Sequence, residues 1–170
     1  MRELLPIFLP RVTKSDLRQA ILQQLQAELS LQVNAAAGAR EEAISEESRA
    51  ENKWDTHSQE AAYLAEGQAR LAAEVVTSLE VFATLPFPDL GPNDVIVLGA
   101  IVSLADAGKT AWYFLGPRAG GLELEIDDRK VLVVTPSSPL GRQLIGKRVG
   151  DTVQTVGRGA KAASRIVSVA

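Results

Sequence analysis

Two hydrophobic rhythms divide this chain. From residue 14 to about residue 84 apolar positions recur every three or four residues, and beyond residue 94 they alternate or gather in short β-branched runs. In the first stretch Leu22, Leu25 and Leu29 lead into Ala36, Ala39 and Ala43, with Gln32 interrupting. A second series runs Trp54, His57, Ala61, Leu64, Gln68, Leu71, Val75, Ser78 and Phe82. Each is a narrow stripe of the kind that buries against one partner helix. Thr13, with Asp16 three residues later, reads as a capping box opening the first helix. No proline separates the stripes, but a polar stretch near Ser45–Ala50 does. The pattern predicts two antiparallel helices of about 30 residues, each about 45 Å long, joined at that stretch. Alanines cluster toward the join and larger side chains toward the other end.

Pro86, Pro88, Gly91 and Pro92 end the helical rhythm and form a stiff connector. Strands are predicted at Val95–Leu104, Thr110–Leu115, Leu122–Ile126, Val131–Val134, Thr152–Val156 and Arg165–Val169, with turns at DAGK, GPRAGG and DDRK. Ser138, Pro139 and Gly146 fit an N-cap, a first-turn proline and a terminating glycine, framing one helix of about two turns. The expected fold class is α+β. A helical hairpin over 1–85 and a linker at 86–93 precede a small, mostly antiparallel β domain with one short helix over 94–170.

Composition narrows the function classes. Aromatics are only 5% of the chain, so a compact core must be built from Leu, Val, Ile and Ala. A net charge of −3 argues against sequence-independent nucleic-acid binding by the whole molecule. Absence of cysteine excludes disulfides and thiolate zinc sites. The opening MRELLPIFLPRV is broken by Pro6 and Pro10 and is a poor secretory signal, and no apolar run reaches a membrane span's length. These features lead us to expect a soluble, cytoplasmic protein. Charge is uneven: residues 41–60 hold seven acids and two bases, while residues 142–170 hold six bases and one acid. Two solvated surfaces account for this split, and so does orientation on a charged partner.

Most recognisable chemistry fails on inspection. Gly108-Lys109-Thr110 ends like a phosphate loop, but the glycine required five residues earlier is Ser103, leaving a polar hairpin turn. His57 lies on the second stripe, where packing or hydrogen bonding explains it. The polar concentration at the join is EESRAENKWDTH, residues 46–57, with four carboxylates, two cations, the lone histidine and Trp54. Ser48-Arg49-Ala50-Glu51 makes a capping box, and Glu46 and Glu47 suit a helix N-terminus. Capping alone explains Glu51; capping combined with a role for an exposed acidic tip explains it equally.

The stretch VVTPSSPLGRQLIGKRVGDTV, residues 133–153, strongly resembles the C-terminal domain of the GreA/GreB family of bacterial transcript-cleavage factors. Ser138, Pro139, Leu140, Gly141, Leu144, Ile145, Gly146, Lys147, Gly150, Asp151 and Val153 fit the family's pattern over sixteen positions. In the hairpin, Glu60, Glu66 and Gly67 agree most clearly. The resemblance implies an FKBP-like C-terminal domain. It also implies a factor, not an enzyme in its own right, that binds bacterial RNA polymerase through its secondary channel. There the hairpin tip helps the polymerase's own active site cleave backtracked RNA near its 3′ end. An Asp and a Glu three residues later would help hold a Mg²⁺ jointly with the polymerase, because a hard cation takes oxygen ligands. No metal would be bound by the isolated chain.

Carried onto this sequence, the resemblance puts the tip Glu at Glu51 and the tip Asp at Ser48, so one carboxylate is missing. Glu47 is the adjacent substitute, making Glu47 and Glu51 the expected cation-holding and cleavage-assisting pair. Glu46, Ser48, Asn52 and Asp55 are the expected contacts around them. The serine opens a second reading, a channel-binding factor that does not stimulate cleavage and competes with those that do. An FKBP-like peptide-binding module is a third. Its pocket would need several aromatics, but alternation sends Tyr113 to the face opposite Trp112 and Phe114.

Overall fold

The computed structural model describes residues 13–44, 57–106, 108–156 and 161–170. They fall in two compact units. One joins residues 13–20 to Leu85–Ala170, and the other is Ile21–Thr84.

The second unit holds most of α1 (Lys14–Ile44) and all of α2 (His57–Thr84). Ala39 and Glu42 of α1 share a groove with Glu60, Ala61 and Leu64 of α2, so the end of α1 lies beside the start of α2. This is the antiparallel hairpin expected from the two stripes. At its open end the buried side chains are large: Ile21, Leu25, Val75 and Phe82. Toward the join they shrink to Ala39, Ala61 and Ala72.

The stripe on α2 is buried as expected at Ala61, Val75, Ser78 and Phe82, but not at its two leucines. Leu64 and Leu71 are 56% and 46% exposed, whereas Ala61, Ala72, Val75, Ser78 and Phe82 are buried. Ala72 is buried in place of its neighbour Leu71, so small residues line the seam toward the join. On α1, likewise, Leu17 and Ile21 are fully buried, and Leu22, favoured by the periodicity, is only half-buried.

In the first unit the Thr13 hydroxyl oxygen accepts a hydrogen bond from the Asp16 N–H at 3.1 Å and also meets the Asp16 carboxylate. Thr13 therefore caps α1 as its sequence predicts, while the Asp16 carboxylate takes the Thr13 hydroxyl and not the backbone N–H expected of a capping box. The unit's sheet comprises β1 (Ile101–Asp106), β2 (Lys109–Leu115), β3 (Glu123–Ile126), β4 (Arg129–Val134), β5 (Thr152–Val156) and β6 (Lys161–Val169). Its six strands lie in the order β3-β4-β2-β1-β6-β5. Only β2 with β4 is parallel among the pairings of the described residues. The first strand starts at Ile101 rather than at Val95. Ile96 instead meets the loop after the short helix α3 (Pro139–Leu144), its N–H donating to the Lys147 carbonyl at 2.8 Å.

Alternation along β2 gives the sheet two faces. Tyr113 and Leu115 face a core of Val102, Leu104, Val134, Leu144, Val153 and Ile166. Phe114 points the other way and is met edge-on by Phe87, with ring centroids 5.2 Å apart. The Arg18 guanidinium lies 4.6 Å from the Phe87 ring centroid and donates to the Leu85 carbonyl at 2.6 Å. Lys14 donates to the Pro88 carbonyl and pairs with Asp89 at 3.1 Å. The first turns of α1 are thus tied to the 85–89 segment, and that segment to the sheet.

Replacing Phe87 by alanine removes the aromatic pair and the surface beneath Arg18 together. A loss of about 2–4 kcal/mol is expected in urea unfolding. Asp89→Ala, which removes a solvent-exposed ion pair, leaves the midpoint unchanged.

Candidate functional site

Two regions carry the sequence-derived expectations. The first is the join of the hairpin. Glu46, Glu47, Ser48, Glu51, Asn52 and Asp55 all lie outside the described residues, as does Trp54. What is described is the frame around them. α1 runs to Ile44, α2 begins at His57, and twelve residues connect the two ends. Glu41, Glu42 and Glu60 are exposed on this frame, so negative charge continues from the join onto both helices. No group of three or more metal-ligating side chains occurs among the described residues.

The second region is the 133–153 stretch, where the sequence pattern becomes legible as geometry. Ser138 caps α3: its Oγ accepts from the Gly141 N–H at 3.0 Å and donates to the Thr135 carbonyl at 2.8 Å. Pro139 follows at the first turn, where a missing N–H costs nothing. The same serine thereby ties the helix start to the end of β4. Gly141 is required for a separate reason. A Cβ there would overlap the Thr135 carbonyl oxygen, so the helix approaches β4 closely only without a side chain. Gly146 ends the helix at φ +77° and sends its N–H to the Ile96 carbonyl at 2.9 Å. Asp151 closes the next turn by accepting from the Arg148 N–H at 2.9 Å.

Gln143 makes a contact that periodicity does not reveal. Its side-chain amide donates to the Gln154 carbonyl at 3.1 Å and its Oε1 accepts from the Gln154 N–H at 2.8 Å. The side chain acts as a one-residue strand on the outer edge of β5. An i,i+11 pairing of two glutamines leaves no pattern that distinguishes it from two exposed polar residues.

Between α3 and the sheet lies a cavity of ≈ 490 Å³, walled by Tyr113, Leu132, Val134, Thr135, Ser138 and Leu140 among others. Tyr113 is the sole aromatic among its described lining residues. Burial raises its phenol pKa above the ordinary value of 10.0. Trp112 is turned to the opposite face, where Arg129 stacks over it at 4.8 Å. Arg142 on α3 and Arg165 on β6 are exposed, so part of the basic C-terminal charge reaches solvent.

Residues 91–170 match the family described as transcription elongation factor, GreA/GreB, C-terminal. No curated protein matches the chain significantly. Among solved structures, GreA factor homolog 1 of Thermus thermophilus is 23% identical, with 90% of this chain and 94% of that chain covered and a TM-score of 0.38. The same factor from Thermus aquaticus is 23% identical, with 89% and 92% covered and a TM-score of 0.37.

Two outcomes test the motif region. Gly141→Ala costs about 3 kcal/mol in chemical denaturation, because its Cβ must displace main-chain atoms. Tyr113 contributes stability below pH 10.0, its unfolded value, and this is lost as pH rises through its higher folded pKa. Tyr113→Phe therefore keeps stability in that alkaline window where the unsubstituted chain loses it, as seen by comparing unfolding midpoints across pH.

Proposed function

Residues 91–170 make this chain a divergent member of the GreA/GreB family, and on that premise we propose that it binds bacterial RNA polymerase in the cytoplasm and modulates elongation. The observation that carries the reading is one chain holding both parts. A Gre C-terminal domain serves as the anchor, and a helical hairpin gathers carboxylates at its join. Factors of this kind are not enzymes; the chemistry belongs to the polymerase. The hairpin enters the secondary channel and presents its acidic join to the RNA 3′ end. In this arrangement the exposed Arg142 and Arg165 orient the anchoring domain on an acidic surface, chiefly by speeding productive encounter.

At the join, Glu47 and Glu51 are the residues for cleavage assistance. Carboxylate oxygens are the right donors for Mg²⁺, so the pair fits a cation held jointly with the polymerase. Such an ion, when bound, stabilises charge on the attacking and leaving oxygens of phosphodiester hydrolysis. Glu46, Ser48, Asn52 and Asp55, neighbours of the pair in sequence, are the further residues proposed to contact the polymerase.

Ser48 also favours a second reading. A hydroxyl where the family carries a carboxylate leaves the site with less negative charge, which suits a factor that occupies the channel without stimulating cleavage. Polymerase stalled on backtracked RNA separates the two. If the chain stimulates cleavage, Glu51→Ala lowers the rate at least about tenfold, on the scale of losing one charged transition-state contact. If it blocks, the unsubstituted chain leaves backtracked RNA uncut and Ser48→Asp gains cleavage. Failure of the chain to bind polymerase rejects both.

A further inference from the structure

The cavity between α3 and the sheet has mostly apolar walls. Tyr113, Leu132, Val134, Pro139 and Leu140 line it, and none of its described lining residues is charged. Most of its polar side chains are already engaged. Ser138 caps α3, the Thr135 hydroxyl meets that of Ser137 at 3.0 Å, and the Thr155 hydroxyl meets that of Ser164 at 2.7 Å. Tyr113 is half-buried, and its phenol makes no hydrogen bond to another described residue. At ≈ 490 Å³ the space is of ligand-holding size. A charged group would lose its hydration there without compensation, so the site selects a neutral, apolar occupant that can accept one phenolic proton.

The same chain carries a segment with those properties. Residues 4–10, LLPIFLP, are seven consecutive apolar residues bounded by Glu3 and Arg11, and they lie outside the described residues, ahead of α1. Pro6 and Pro10 have no N–H, so this backbone brings fewer donors for an apolar site to satisfy. Its carbonyls can accept the Tyr113 proton, and Phe8 supplies a second aromatic ring. The path from α1 to the cavity is short and stays within the first unit. Lys14 donates to the Pro88 carbonyl, and Pro86 and Pro88 pack where a Cβ on Gly99 would collide. Gly99 N–H donates to the Leu115 carbonyl at 2.8 Å, and the next residue, Gly116, donates to the carbonyl of Val134 in the cavity wall at 2.9 Å. The twelve residues before Thr13 can span about 40 Å, against about 5 Å between neighbouring strands. The tether holds the segment at an effective concentration on the order of millimolar, which a second copy does not match, so even a site of modest affinity is filled from within.

We propose that the cavity between α3 and the sheet is an intramolecular docking site for this chain's own residues 4–10, whose apolar side chains close it. Docking of this kind needs no polymerase and is tested on the isolated full chain. A photoreactive phenylalanine analogue in place of Phe8 is activated by light, and the residues it joins are mapped by mass spectrometry. Attachment is expected within the same molecule, at Tyr113, Leu132 or Leu140, with a yield that does not depend on chain concentration. Leu5→Asp together with Ile7→Asp introduces carboxylates that the uncharged walls cannot compensate. The pair is expected to lower that yield at least about tenfold, with the circular dichroism spectrum unchanged because both positions lie outside the packed core. Attachment to other parts of the chain, attachment to a second copy, or a yield that the two carboxylates do not lower overturns the proposal.

Discussion

Phe87 is where the aromatic-poor first unit concentrates its specific contacts away from α3. Its ring meets Phe114 edge-on and lies beneath the Arg18 guanidinium, which also reaches the Leu85 carbonyl. With aromatics at 5% of the chain, few other contacts combine so large an apolar area with directional attraction. The prolines on either side hold the segment extended, so Phe87 reaches the sheet without an ordered element of its own. Gly99 contributes from the sheet side: at φ +88° it lets Pro86 and Pro88 pack where a Cβ would collide with both.

The 133–153 stretch shows how a sequence signature divides between construction and contact. Ser138, Gly141, Gly146, Gly150 and Asp151 are accounted for by a cap, a close approach and two tight turns. Leu144 and Val153 are core. These residues build the joint between α3 and the sheet, so their presence identifies the domain without assigning each a contact role. The cavity beside them offers one aromatic, with Trp112 and Phe114 on the far face, which suits a protein surface better than the aromatic-walled pocket of a peptide isomerase.

In the hairpin, the division of labour between large and small residues reverses what hydrophobicity suggests. Alanines fill the seam near the join and leucines stand outside it.

Much was legible from sequence. The change of hydrophobic period located the hairpin and all six strands, because alternation and 3–4 spacing are local consequences of backbone geometry. The α3 cap was readable for the same reason: Ser138 and Pro139 act on neighbours within one turn. The acidic cluster at the join was visible as composition, since charge is carried by residue type. Tertiary structure decided what depends on distant residues. It turned Leu64 and Leu71 out of the α2 stripe, brought Gln143 to the edge of β5 and placed Phe87 between Arg18 and the sheet. It also put Glu42, Glu60 and Leu64 around one groove. Sequence fixes the period of an element, but its rotation and neighbours follow from how closely two backbones can approach, and that is settled only when both are packed.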